Sequence, residues 1–185
     1  MAIDSTDATE HDFLDLRSEV SEVHARGFRV RRQPAAHLRI HKILVPVDFS
    51  ECSNRALDYA VGLAQPFGAC IALLHVVEPG IGTNQSLALT PTLDAAYQRS
   101  FNAAQERLAR LRERHLGART SVETLVRIGR SPSEIVDTAK ALGADLIVLG
   151  THGSTGSRIS LLGGTAEKVV RQANCPVLTV RCWEH

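Results

Sequence analysis

Glycines stand at positions 150, 153, 156, 163 and 164 in the run GTHGSTGSRISLLGGT, residues 150–165. Ser, Thr and His152 stand between them, with no carboxylate. Glycine lets successive main-chain N–H groups converge on one point and lets a ligand approach the backbone closely. Such a run at the start of a helix adds unpaired N–H groups and a partial positive charge. The chemistry this suits is the binding of an anion, most often phosphate. His152 can donate to such a phosphate, act as a general base, or hydrogen-bond a carbonyl within the loop. No Asp or Glu lies between residues 146 and 166 to orient a hydrolytic water or hold a metal from within the loop, which argues against efficient hydrolysis. The run is not a Walker A loop, because no GKS or GKT follows, and the three-residue steps of Gly150, Gly153 and Gly156 do not make GxGxxG.

What positions the loop is the alternation around it. Asp145–Leu149 (DLIVL) reads as a strand entering the loop, and Ala166–Arg171 reads as a helix leaving it. Upstream, Lys42–Asp48 is a nearly continuous apolar run, as expected of a strand buried on both faces. Ser50 or Ser53 can cap the helix that follows, whose stripe is Ala56, Ala60 and Leu63, and Pro66 with Gly68 should end it. Ala69–Val77 is a second strand, and Glu78–Thr90 reads as a loop. Pro91 opens a long helix with Tyr97, Phe101, Ala104, Leu108 and Leu111 on one face, closed by Gly117. Thr120–Ile128 is a third strand with imperfect alternation, flanked at its end by Arg127 and Arg130, which either contact a phosphate or face solvent. Ser131, Pro132 and Glu134 are spaced as cap, first turn and capping box of a helix whose stripe is Ile135, Ala139 and Leu142. Cys175–Arg181 is the fifth strand.

Strands alternating with helices imply an α/β fold, a single five-stranded parallel sheet with helices on both faces, Rossmann-like. Ordered 3-2-1-4-5, it brings Asp48 and the glycine loop to one crevice beyond the carboxyl ends of the strands.

Residues 1–39 differ from this domain of residues 40–185. Met1–Val23 carries seven acids and one base, whereas His24–Lys42 carries six bases and no acid. Phe13, Leu16, Val20 and Val23 share a helical face, so the extension reads as an amphipathic helix or a partly disordered arm. Over the whole chain of 185 residues the formal charge is +1, and aromatics make up 4%, which argues against nucleic acid as a partner. No apolar run approaches the ~20 residues of a membrane span, and no signal peptide is recognisable, so a cytoplasmic protein is expected. Cys52, Cys70, Cys175 and Cys182 contain no CxxC pair and read as buried or incidental thiols. His75 reads as a hydrogen-bonded core histidine.

Gly150-Thr151-His152-Gly153, nine residues and then Gly163 resemble the nucleotide-binding signature G-x2-G-x9-G-(S/T) of the universal stress protein family. Val45–Ser50, Leu74–Val76, Ala144–Leu149 and Cys175–Val180 resemble that family's first, second, fourth and last strands in order, so the likeness spans about residues 40–182. The resemblance implies an ATP-binding stress-response protein acting as a switch or sensor through a homodimer, with at most slow ATP hydrolysis and any Mg2+ arriving with the triphosphate. It implies that Pro46 and Asp48 sit by the ribose and adenine and that the backbone of Val76 faces the adenine edge. Gly150, Gly153 and Gly163 would wrap the phosphates, with His152 nearby and donors from Gly164 and Thr165. It implies dimerisation through the strand Val177–Val180; Trp183, just after that strand, either buries its ring in such an interface or lies in a tail on the same subunit. One departure stands out: Gly164 occupies the position that the signature gives to Ser or Thr. The family's nucleotide-free branch supplies the alternative, a dimerising interaction protein of the same fold.

Overall fold

The computed structural model describes residues 39–79, 91–115, 120–153 and 162–182. The readings of the N-terminal extension, of residues 80–90, and of Gly117, Gly156 and Trp183 lie outside the described residues.

The elements run β1 (Lys42–Pro46), α1 (Glu51–Phe67), β2 (Cys70–Val77), α2 (Pro91–His115), β3 (Val122–Ile128), α3 (Ser131–Leu142), β4 (Leu146–Gly150), α4 (Gly164–Gln172) and β5 (Val177–Val180). The strands form one sheet in the order β3-β2-β1-β4-β5, every pair parallel, as the alternation predicts.

The two-residue period of the strands sorts their side chains into two cores. Ile43, Val45, Ile71, Leu73 and Val148 point to one face, where Ala56, Leu57 and Ala60 of α1 and Leu108 and Leu111 of α2 cover them. Leu44, Ala72, Leu74, Ile147 and Leu149 point to the other, under Ile135 and Ala139 of α3 and Ala166 and Val169 of α4. Burying each such aliphatic side chain contributes about 1.5–3 kcal/mol, so both helical layers are held chiefly by the central strands. β1 and β4 are further tied at their starts, where Asp145 Oδ2 accepts the N–H groups of His41 at 2.7 Å and Lys42 at 3.0 Å.

Two local expectations are corrected, and one holds: α1 ends on Gly68 in the left-handed conformation, φ 62°, with Pro66 in its last turn. Proline in a last turn forfeits a single ladder bond, and the turn tolerates that. Ser131 is not the cap of α3 but its first residue; the N-cap is Arg130, and the main-chain N–H of Ser131 donates instead to Glu78 Oε1 at 2.9 Å. A carboxylate from the end of β2 thus fills the place that a local side chain would take. Finally, Cys52 and Cys182 form a disulfide, with Cα atoms 5.2 Å apart. The thiol reading holds only for Cys70 and Cys175. The pair lies 130 residues apart, and only the parallel topology brings the first turn of α1 beside the end of β5.

Candidate functional site

The strand order reverses direction between β1 and β4, and ligands of open parallel sheets bind in the crevice beyond such a point. A cavity of about 740 Å³ lies there, within the size range of small-molecule sites. All nine residues singled out in the sequence line it: Pro46, Asp48, Val76, Gly150, His152, Gly153, Gly163, Gly164 and Thr165.

One wall is the turn after β1. Asp48 Oδ1 accepts the main-chain N–H of Ser50 at 3.0 Å and the Ser50 hydroxyl. Ser50 Oγ accepts the N–H of Ser53 at 3.2 Å and so caps α1. Phe49, between them, has φ 64°, a conformation uncommon for an aromatic residue. Packing holds it there: its ring lies 4.5 Å from that of His75, and the Arg107 guanidinium sits 3.9 Å from the ring centroid. His75 donates from Nδ1 to Val47 O at 2.8 Å, since a carbonyl can only accept. It is satisfied, as expected, but half-buried and in the cavity wall rather than in the core. The last β1 residue in register, Pro46, pairs with Leu74, so Val76 lies past the end of β1 with its edge toward the cavity.

The other wall is the glycine loop, and Thr151 gathers its ends. Thr151 is buried; its N–H donates to Val180 O at 2.8 Å, and its carbonyl accepts the N–H of Gly163 at 2.7 Å. Its hydroxyl lies 3.0 Å from Nδ1 of His152. The chain therefore leaves β4 at residue 150 and returns at 163 to the same point. Close contacts require glycine at two places. A β-carbon on Gly150 would fall 3.0 Å from Cβ of Cys52, and one on Gly153 would fall 2.7 Å from Asp48 Oδ2. Gly163 is the N-cap of α4 and makes no side-chain capping bond, so the opening N–H groups of that helix face the cavity without a capping side chain. Unpaired helix-start donors beside a glycine cradle fit a phosphate. Gly164, by contrast, has nothing within 4 Å of where a β-carbon would stand.

Sequence reasoning missed two carboxylates of the lining, Glu78 and Glu167. Glu78 is pulled below the ordinary glutamate range by hydrogen bonds from the Ser131 hydroxyl and main chain, with Arg130 and Lys168 nearby. Glu167 pairs with Arg171 at 3.1 Å, a one-turn pair on α4. A usable signal existed for Glu78, which directly follows a strand end pointing into the crevice. Arg127 and Arg130 are exposed and do not line the cavity. Among the described residues, no group of three or more His, Cys, Asp or Glu side chains is arranged to hold a metal ion. Among them, too, no helix is long and apolar enough to cross a membrane.

Comparison with known proteins decides the family. The family model described as "Universal stress protein family" matches residues 39–181. The chain belongs to the universal stress protein family. It is 37% identical to universal stress protein G of Escherichia coli O157:H7, over 75% of this chain and 97% of that protein. Its fold is similar to the solved structure of MJ0577, a universal stress protein of Methanocaldococcus jannaschii, with TM-score 0.71, 26% identity and coverage of 80% of this chain and 100% of that one. It is also similar to a universal stress protein solved in complex with cAMP, with TM-score 0.53, 25% identity and coverage of 78% and 98%. At least one structural relative within the universal stress protein family thus binds an adenine nucleotide.

Proposed function

We propose that this universal stress protein binds ATP in the crevice between Asp48 and the glycine loop and acts as a switch or sensor through a homodimer. The observation that carries the reading is the approach of Gly153 to Asp48. It joins the glycine loop to the end of β1, so that main chain and a carboxylate stand side by side in the lining of one cavity. Main-chain donors at Gly163–Thr165 suit the phosphates, and Asp48 suits the ribose hydroxyls, which donate to a carboxylate. Val76, past the end of β1, offers backbone groups to the adenine edge. His152, half-buried beside Thr151, stands where it can donate to a phosphate. Mg2+ would arrive on the triphosphate. The cAMP complex of a relative supports an adenine nucleotide as the ligand class.

The same reading makes the protein cytoplasmic, joined to its copy along β5, and at most a slow ATPase. Residues 1–39 form a separate extension to the domain of residues 40–185. The nucleotide-free alternative has one observation in its favour, the absence of a hydroxyl at Gly164. Acid extraction of the purified protein and calorimetric titration with ATP separate the two. Binding with one ATP per chain is expected; no heat up to millimolar ATP, with no nucleotide in the extract, would leave the nucleotide-free reading.

A further inference from the structure

We infer that Cys52 and Cys182 form a reversible thiol–disulfide modification site that governs the order of the glycine loop's base. The disulfide lies beside Gly150, where the glycine loop leaves β4, and joins α1 to the chain just beyond the edge strand β5. Cys52 lies in the first turn of α1, directly after the Asp48–Ser50 turn, and its side chain and main chain pack on Gly150. Cys182 lies two residues beyond Val180, whose carbonyl accepts the Thr151 N–H. The cystine therefore fastens the end of β5 to α1 across the residue where the loop begins. β5 is four residues long and at the sheet edge; Val180, its last residue, packs into the core, and the cystine ties the chain just beyond it to α1. A hydrogen bond at the end of an edge strand opens locally at lower cost than one within the sheet, and a covalent tie two residues away suppresses that opening.

The two sulfurs differ in access. Cys52 is 4% exposed, whereas Cys182 is half-buried. Exchange with a low-molecular-weight disulfide such as oxidised glutathione begins at the sulfur that the reagent can reach. The Cys182 thiol loses its proton, and its thiolate attacks one sulfur of the reagent, releasing one glutathione thiolate. The Cys52 thiol then loses its proton, and its thiolate attacks Sγ of Cys182 and releases the second. Two protein thiols become one disulfide, one glutathione disulfide becomes two thiols, and the two protons pass to the released thiolates. Reduction runs the same exchange backwards. In a reducing compartment, protein disulfides are mostly transient or redox-sensing. The free thiols Cys70 and Cys175 serve as internal controls.

The effect on ATP rests on the function proposed above, so the test reads the loop directly as well. The full-length protein is equilibrated in mixtures of reduced and oxidised glutathione, quenched in acid, alkylated and mapped by mass spectrometry. Amide hydrogen exchange is followed at Thr151, and ATP is titrated in the two end states. Cys52–Cys182 peptides should form and vanish reversibly, and the Thr151 amide should exchange about tenfold faster after reduction. Cys182→Ser should exchange like the reduced protein in both buffers. A cystine linking other positions, one that no glutathione ratio alters, or equal Thr151 exchange in the two states overturns the inference. If ATP binds in neither state, the nucleotide reading fails, while the exchange rates still decide this one.

Discussion

A β-carbon on Gly153 would stand 2.7 Å from Oδ2 of Asp48. That is well inside van der Waals contact, and the carboxylate is not free to swing aside, because its Oδ1 accepts both the N–H and the hydroxyl of Ser50. The strand β1 and the glycine loop, about a hundred residues apart in sequence, thus meet through one carboxylate and one missing side chain.

Gly153→Val should therefore distort the crevice lining without unfolding the protein, since Gly153 is exposed. ATP affinity is expected to fall by at least about tenfold, the equivalent of ~1.4 kcal/mol, with the thermal midpoint little changed. Calorimetric titration beside a melting curve checks both, and undiminished affinity would remove Gly153 from the site.

Gly164→Ser should act in the opposite sense. The side chain enters open space at the first turn of α4 and supplies the hydroxyl that the family signature carries there. One added neutral hydrogen bond is worth about 0.5–1.5 kcal/mol, so ATP should bind roughly two- to tenfold more tightly. Replacing a helical glycine also raises stability by about 0.5 kcal/mol. Weaker binding by the serine variant would show that the phosphates lie elsewhere.

Asp145 gives the fold a defined acid response. Hydrogen bonds from the His41 and Lys42 N–H groups hold its carboxyl below the ordinary aspartate value near 3.8. Its folded pKa is the lower one, so its stabilisation is complete above about pH 4 and is lost as pH falls through the depressed value. Asp145→Asn should lower stability at neutral pH by about 1 kcal/mol and flatten the fall in stability below pH 4, as read from urea midpoints across that range.

Removing the Cys52–Cys182 bond should cost about 2–5 kcal/mol, because it closes a long loop in the unfolded chain. For a domain of this size that corresponds to a drop of roughly 5–15 °C in melting temperature. Cys52→Ser and Cys182→Ser, alone and together, should show the same drop, as members of one bond must. Additive losses would mean that each side chain contributes through packing instead.

The edge strand offers a test of assembly. Leu178 is 36% exposed on β5, and an apolar residue on an open edge invites pairing with another copy. Leu178→Lys should shift the protein from dimer to monomer in light scattering while leaving the monomer fold intact. A wild-type monomer at micromolar concentration would refute dimerisation through this strand.

The sheet was legible because β1, β2 and β4 are buried on both faces and so read as unbroken apolar runs. β3 was less clear: it lies at the edge with Arg127 and Ile128 exposed, and its pattern is mixed. The crevice residues were legible because strand ends and glycines mark it directly. What escaped was contact across sequence distance. Glu78 reaches the N–H of Ser131, Cys52 reaches Cys182, and Phe49 is wedged between His75 and Arg107. No local pattern encodes such pairings, because each partner alone has an adequate local alternative.

The ends of the glycine loop are joined at Thr151 by a donor and an acceptor that every amino acid except proline possesses. The bonds to Val180 and Gly163 use no side chain at all. The two bonds themselves are thus made whatever side chain stands there, and proline alone among the amino acids would break the amide half. Chains that drift far apart in composition can keep the same joint between edge strand and loop, and an ester in the main chain, which lacks the N–H, would break its amide half as proline does.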